Sequence, residues 1–142
     1  LREKWGAGNS DFVLLFVSEC TAEMTLFGYK STYVETEVLD DMLRALSEGR
    51  APWGGAVEQS ALLVVVRAHP RDRKDKYKEV IERWQRRLRI SASIDGAPDL
   101  AMLAADITVG MNSSMLYEAN LLGRKAVSLT GHDILSGKSR AV

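Results

Sequence analysis

The sequence predicts an α/β domain: a Rossmann-like, doubly wound parallel sheet of about five strands with helices on both faces. Two observations predict it. Short apolar runs and longer amphipathic stretches alternate strictly along the chain and end on a fifth run. The strongest runs are continuous rather than alternating, as expected of strands covered on both faces.

Residues 1–10 are polar and Gly-containing and are taken as a lead-in to a domain spanning 11–130. Phe12 to Val17 is an unbroken apolar run, the first strand. Ser18, Glu19, Cys20 and Thr21 fall at its carboxyl end, and Thr21 to Lys30 is expected to loop. Thr32 and Glu35 have the spacing of a capping box. Val34, Val38, Met42 and Leu46 then recur every four residues, with Leu39 and Leu43 widening the stripe, until Gly49 ends the helix.

Pro52, Gly54 and Gly55 mark residues 50–60 as a loop, from which Trp53 either stacks on a ligand or folds back on the core. Ala61 to Ala68 is the second strand, closed by His69 and Pro70. The charge run Arg71 to Lys76 is expected to be a solvated turn leading into a helix. That helix is the most clearly amphipathic in the chain: Tyr77, Val80, Ile81, Trp84 and Leu88 on one face, Lys and Arg on the other.

Ile90 to Ile94 makes a short third strand and residues 95–98 a turn. Asp99 opens a short helix through Leu100, Leu103 and Ala104. Ile107 to Val109 is the fourth strand, after which Gly110 is expected to permit a sharp turn. Asn112, Ser113 and Ser114 are residue types that cap a helix. Met115, Leu116, Ala119 and Leu122 carry that helix forward to a left-handed stop at Gly123. Ala126 to Leu129 begins the fifth strand, and residues 131–142 form an irregular tail.

In such a sheet, ligands sit beyond the carboxyl ends of the strands, where the strand order reverses. Ser18, Glu19, His69, Asp95 and Asn112 to Ser114 all fall on that edge. A helix beginning there directs unpaired N–H groups and a positive dipole end at the crevice. Two serine hydroxyls add donors, which suits a phosphate or another anion. The same three residues also suffice as a plain helix cap. Glu118 lies one turn after Ser114, on the same face. A carboxylate beside an anion site needs its own task, and binding sugar hydroxyls is one.

The chain has 142 residues, enough for one domain with a core. Its 19 basic and 19 acidic residues cancel, so there is no electrostatic case for nucleic acid. No apolar run approaches a membrane span. The single cysteine, Cys20, excludes an internal disulfide, fits a reducing cytoplasm and has no cluster of metal ligands around it, so no metal site is expected. The first βα turn lacks a dinucleotide-binding glycine pattern, and no phosphate-loop lysine motif or nucleophile elbow is present. A phospho-receiver needs an acidic pair after the first strand, which Ser18 with Glu19 supplies poorly. Cys20 has only the sequence-distant His69 and His132 as bases.

The segment from Ala61 to Leu129 resembles the C-terminal, donor-binding half of GT-B glycosyltransferases. The resemblance lies closest to the group of UDP-N-acetylglucosamine 2-epimerases, CDP-glycerol glycerophosphotransferases and surface-polysaccharide transferases. It is carried by Arg67-Ala68-His69-Pro70-Arg71, by Asp99 through Asp106, and by Asn112-Ser113-Ser114 through Glu118-Ala119 to Val127. The resemblance implies a nucleoside diphosphate sugar as donor substrate, with no separate cofactor. Asn112, Ser113 and Ser114 would receive its diphosphate, Glu118 its ribose hydroxyls, and residues around Asp95 its base. His69 would be catalytic, beside the diphosphate or reacting sugar.

The acceptor half of such an enzyme is not in this chain, so a missing N-terminal domain or partner subunit is expected. The related alternatives are a CDP-glycerol-type phosphotransferase half and a sugar-nucleotide epimerase half. A non-enzymatic interaction module is a further reading. Its motivation is the basic face formed by Arg83, Arg86, Arg87 and Arg89, which could make peripheral contact with an anionic membrane or acidic partner.

Overall fold

In a computed structural model describing residues 1–28, 33–129 and 140–141, five parallel strands form the centre of the protein. They are β1 (Phe12–Val17), β2 (Leu62–Arg67), β3 (Arg89–Ala92), β4 (Ile107–Gly110) and β5 (Lys125–Ser128). Their spatial order is β3-β2-β1-β4-β5, and a two-residue strand, β6 (Arg140–Ala141), pairs antiparallel with β5. The chain builds outward from β1 through β2 to β3, then returns to place β4 on the other side of β1. The order therefore reverses between β1 and β4, which defines a Rossmann-like switch point.

The apolar runs explain the central position of β1 and β2. Val13 to Val17 and Leu62 to Val66 are all buried. Successive side chains point to opposite faces, so each strand feeds two cores. Leu14, Phe16, Val64 and Val66 meet α3 (Glu35–Ser47) and α4 (Lys78–Trp84) on one face. Val13, Leu15, Val17, Leu63 and Val65 meet α5 (Pro98–Ala104) and α6 (Ser114–Leu121) on the other. Trp53 folds back against the first core, one of the two outcomes its loop position allowed.

Several expectations change. The polar lead-in forms a short helix, α1 (Arg2–Trp5), whose Trp5 is buried in the second core. Arg2 fastens it by donating to the carbonyls of Ala104 at 2.8 Å and Asp11 at 2.7 Å. The expected loop after β1 contains α2 (Thr21–Met24) and a 3₁₀ turn, Thr25–Phe27. Thr32, residue 130 and, of the tail, residues 131–139 and 142 lie outside the described residues; Arg140–Ala141 of that tail form β6 rather than irregular chain, and Glu35 turns inward rather than capping α3. Leu122, expected on the apolar face of α6, is exposed.

Gly110 is corrected as well. It ends β4 with a negative φ and does not make a tight turn. A Cβ there would lie 2.8 Å from Val17 Cγ2 and 3.3 Å from the Val17 carbonyl oxygen. The glycine is needed because β1 and β4 approach closely at the switch point.

Candidate functional site

A crevice of about 450 Å³ opens at the carboxyl edge of the sheet. Its lining comes from three strand ends and the helix that follows the fourth strand. Val17 and Ser18 come from β1, Arg67 to Pro70 from β2, Ile94 from beyond β3, and Ser113, Ser114, Met115 and Glu118 from α6. Its volume falls in the range of small-molecule sites. A larger depression of about 1040 Å³ lies at the opposite, amino edge beside Trp5, Arg86 and Arg87. In a βα repeat, helix N-termini face the carboxyl edge, so the smaller crevice has the anion-favouring geometry.

Ser113 is the N-cap of α6, and its Oγ accepts the Met115 N–H at 3.2 Å. Its carbonyl accepts the Leu116 N–H at 3.1 Å. The amides of Ser113 and Ser114, and the Ser114 hydroxyl, have no acceptor among the described residues. These are the donors left for a ligand. Glu118 follows one turn later, exposed and lining the same crevice.

Asn112 does not line this crevice. Its N–H donates to Glu19 Oε2 at 2.9 Å, and its Nδ2 donates to the Tyr33 hydroxyl at 3.5 Å. Tyr33 in turn donates to Glu19 Oε1 at 2.7 Å. An internal carboxylate thus already occupies the place at Asn112 where an external anion was expected. Glu19 and Asp95 also lie outside the lining, although the Asp95 carbonyl holds Arg67.

His69 lines the crevice, and its imidazole is fixed from behind. Nδ1 accepts the Arg71 N–H at 3.0 Å, which in a neutral ring places the proton on Nε2. The histidine main-chain N–H donates to Asp72 Oδ2 at 2.8 Å.

Behind the crevice lies a hub of buried charge. The run from Arg71 to Lys76 is a turn in which Arg71, Arg73, Lys74 and Asp75 are exposed as expected, but the side chains of Asp72 and Lys76 are each only 2% exposed. Lys76 Nζ sits 2.9 Å from Asp72, 2.9 Å from Glu23 and 3.1 Å from Glu35. It also donates to the Glu19 carbonyl at 2.9 Å. Burial disfavours the ammonium, but hydrogen bonds to Asp72, Glu23 and Glu35 outweigh it and raise the Lys76 pKa. Three carboxylates around one ammonium leave excess negative charge. Backbone donors offset it: Thr21 N–H reaches Glu35 at 2.6 Å, Arg73 N–H reaches Glu23 at 3.2 Å, and His69 N–H serves Asp72.

Ser18 joins the hub to the crevice. Its Oγ donates to Asp72 Oδ2 at 2.6 Å and shares a short hydrogen bond with the buried Tyr77 hydroxyl. Burial pushes the Tyr77 phenol well above its ordinary range, so it remains protonated.

The basic face expected of one long helix is divided: α4 ends at Trp84, Arg86 and Arg87 follow it in a turn, and Arg89 belongs to β3. Arg83 pairs with Asp40 at 2.7 Å, and Arg89 pairs with Asp11 at 2.9 Å. Hydrogen bonding from Arg89 is the main reason that the Asp11 carboxyl is lowered to about 2. Arg86 and Arg87 have no carboxylate partner among the described residues, and Arg87 lies over the Trp84 ring at 5.9 Å.

Among the described residues, no group of three or more His, Cys, Asp or Glu side chains could hold a metal ion, and no helix is long and apolar enough to cross a membrane. No family model, curated protein or solved structure matches the chain.

Proposed function

We propose that the carboxyl-edge crevice binds a nucleoside diphosphate sugar, and that the chain is the donor-binding half of a GT-B-type glycosyltransferase of surface polysaccharide or glycoconjugate synthesis. The observation that carries this reading is the convergence of His69, from the end of β2, with Ser113, Ser114 and Glu118, from α6, on one crevice at the switch point. The free amides and hydroxyl at the start of α6 would receive the diphosphate. Glu118, one turn back along the crevice, would accept hydrogen bonds from the ribose hydroxyls. The Nε2–H of His69 would donate to the diphosphate or the departing oxygen as negative charge develops there.

An acceptor domain or partner subunit would close the other side of the cleft. A CDP-glycerol-type phosphotransferase half or a sugar-nucleotide epimerase half would use the same donor pocket and differ in what that partner delivers. The reading places the protein in the cytoplasm, where Cys20 would stay reduced. A membrane-contact role has narrower support, since only Arg86 and Arg87 of the four arginines lack carboxylate partners.

Calorimetric titration with UDP-, CDP- and GDP-sugars tests the reading. At least one is expected to saturate. Glu118→Ala is expected to weaken that nucleotide roughly 10- to 100-fold while leaving inorganic pyrophosphate unchanged, as for a lost charged hydrogen bond. Equal losses would remove Glu118 from the ribose. No saturable binding, even with the acceptor half supplied, would end the nucleotide assignment.

A further inference from the structure

Among the described residues, the arginine that lines the crevice has no carboxylate within ion-pair distance. Arg67 ends β2, the only charged residue of a strand that is otherwise Leu-Leu-Val-Val-Val. Its Nη1 donates to the Asp95 carbonyl at 2.9 Å and its Nη2 to the Gly96 carbonyl at 2.8 Å. These acceptors are neutral. Arg2, Arg44, Arg50, Arg83, Arg89 and Lys76 each lie within ion-pair distance of a carboxylate. Arg67 has no such partner among the described residues, although it is partly buried and lines the crevice.

The two carbonyls do a specific job. A free arginine side chain would sweep over the surface and lose rotamer entropy on meeting a ligand. Here the planar guanidinium is held on the loop after β3, with further N–H donors still unused. Burial lowers the Arg67 pKa, and the Asp95 carboxylate offsets this only in part. An anion entering the crevice would supply the missing compensation.

The charge and the start of α6 line one crevice from different strands. Arg67 projects from β2, while Ser113 and Ser114 follow β4, and β1 lies between them. Two strand spacings separate the two origins, roughly 10 Å. A single phosphate fills one position, whereas an anion with two charged centres can engage both.

We infer that Arg67 is the residue by which the crevice distinguishes a diphosphate from a monophosphate or an uncharged nucleoside. One phosphate meets the start of α6, and the other meets the guanidinium pinned to the Asp95 and Gly96 carbonyls. This rests on the nucleoside diphosphate reading of the same crevice and adds to it the origin of its charge selectivity.

The test compares the whole chain with Arg67→Gln and Arg67→Lys by calorimetry. The probes are inorganic pyrophosphate, inorganic phosphate, and the di- and monophosphates of uridine, cytidine and guanosine. Arg67→Gln is expected to weaken pyrophosphate and the bound nucleoside diphosphate roughly 10- to 100-fold, and the monophosphate less than about threefold. Arg67→Lys keeps the charge without the fork and is expected to fall between. Equal losses for di- and monophosphates, or none, overturn the inference. If Arg67→Gln does not fold, wild-type affinity in Arg67→Lys overturns it instead. Arg67-dependent pyrophosphate binding with no preference for any nucleotide would keep the inference and discard the nucleotide reading. Nucleotide binding that ignores Arg67 would do the reverse, and binding of no probe would end both.

Discussion

Lys76 is enclosed by three carboxylates, while Arg67, earlier in the same βα unit, is held among the described residues by two backbone carbonyls. Both cations serve the carboxyl edge of β2, and Ser18 and His69 touch both neighbourhoods. In the hub, each carboxylate receives the ammonium and at least one further donor. Such a network leaves little for an outside molecule and much to lose if one member goes. In the crevice, the Ser113 and Ser114 amides, the Ser114 hydroxyl, Glu118 and part of the Arg67 guanidinium remain unused. The contrast separates polar groups spent on the fold from polar groups left unpartnered among the described residues.

The contrast breaks most directly at Lys76. Lys76→Met would leave Asp72, Glu23 and Glu35 facing one another without the ammonium, and a loss of about 3–5 kcal/mol is expected in urea unfolding. A loss below about 1 kcal/mol would mean the hub is not structural. Gly110→Ala comes next. Its new methyl would press on Val17 at the crevice floor, with an expected cost of about 1–3 kcal/mol. An unchanged midpoint would show that β1 and β4 have room to part.

Acidity sharpens the comparison further. Burial alone would raise the Glu23 pKa, but hydrogen bonds from Lys76 and the Arg73 N–H hold it below the ordinary carboxylate range. Its stabilising contribution is present above the unfolded value and disappears as pH falls through the folded one. Lys76 is raised above 10.5, so its contribution is complete below that value and disappears at higher pH. Thermal midpoints should therefore fall as pH drops below the ordinary carboxylate range and as it rises above the ordinary lysine range, and Lys76→Met should flatten both limbs. Identical limbs in the variant would detach the hub from the pH dependence. The smallest stability effect belongs to Ser114→Ala, expected within about 0.5 kcal/mol because its hydroxyl is unpartnered. A larger loss would move Ser114 from the ligand side of the comparison to the structural side.

Burial in the sheet was legible because it is written locally. Continuous apolar runs gave β1 and β2; the strand-end rule placed Ser18, His69, Ser113 and Ser114 on the crevice edge and helical spacing added Glu118, whereas Glu19, Asp95 and Asn112, named by the same rule, stand outside the lining. The hub was not legible because its partners are distant along the chain. Asp72 and Lys76 at helical spacing look like any solvated pair, and nothing nearby announces that Glu23 and Glu35 will bury them. Arg67 did leave a signal, a single cation closing an apolar strand. Trp5 left another, one large aromatic in a polar decapeptide. Gly110 misled because glycine serves close packing as well as turning, and sequence does not distinguish the two. Asn112 misled because Glu19, across the switch point, reached its amide first.

The placement of the tryptophans has an optical consequence. Trp84 and Trp53 pack on one side of the sheet, Trp5 packs on the other, and none lines the crevice. Emission from Trp5 alone would report detachment of one helical layer, and emission from Trp84 alone would report the opposite layer. Single-tryptophan chains would thus reveal which side of the sheet opens first, with the ligand contributing no indole contact of its own.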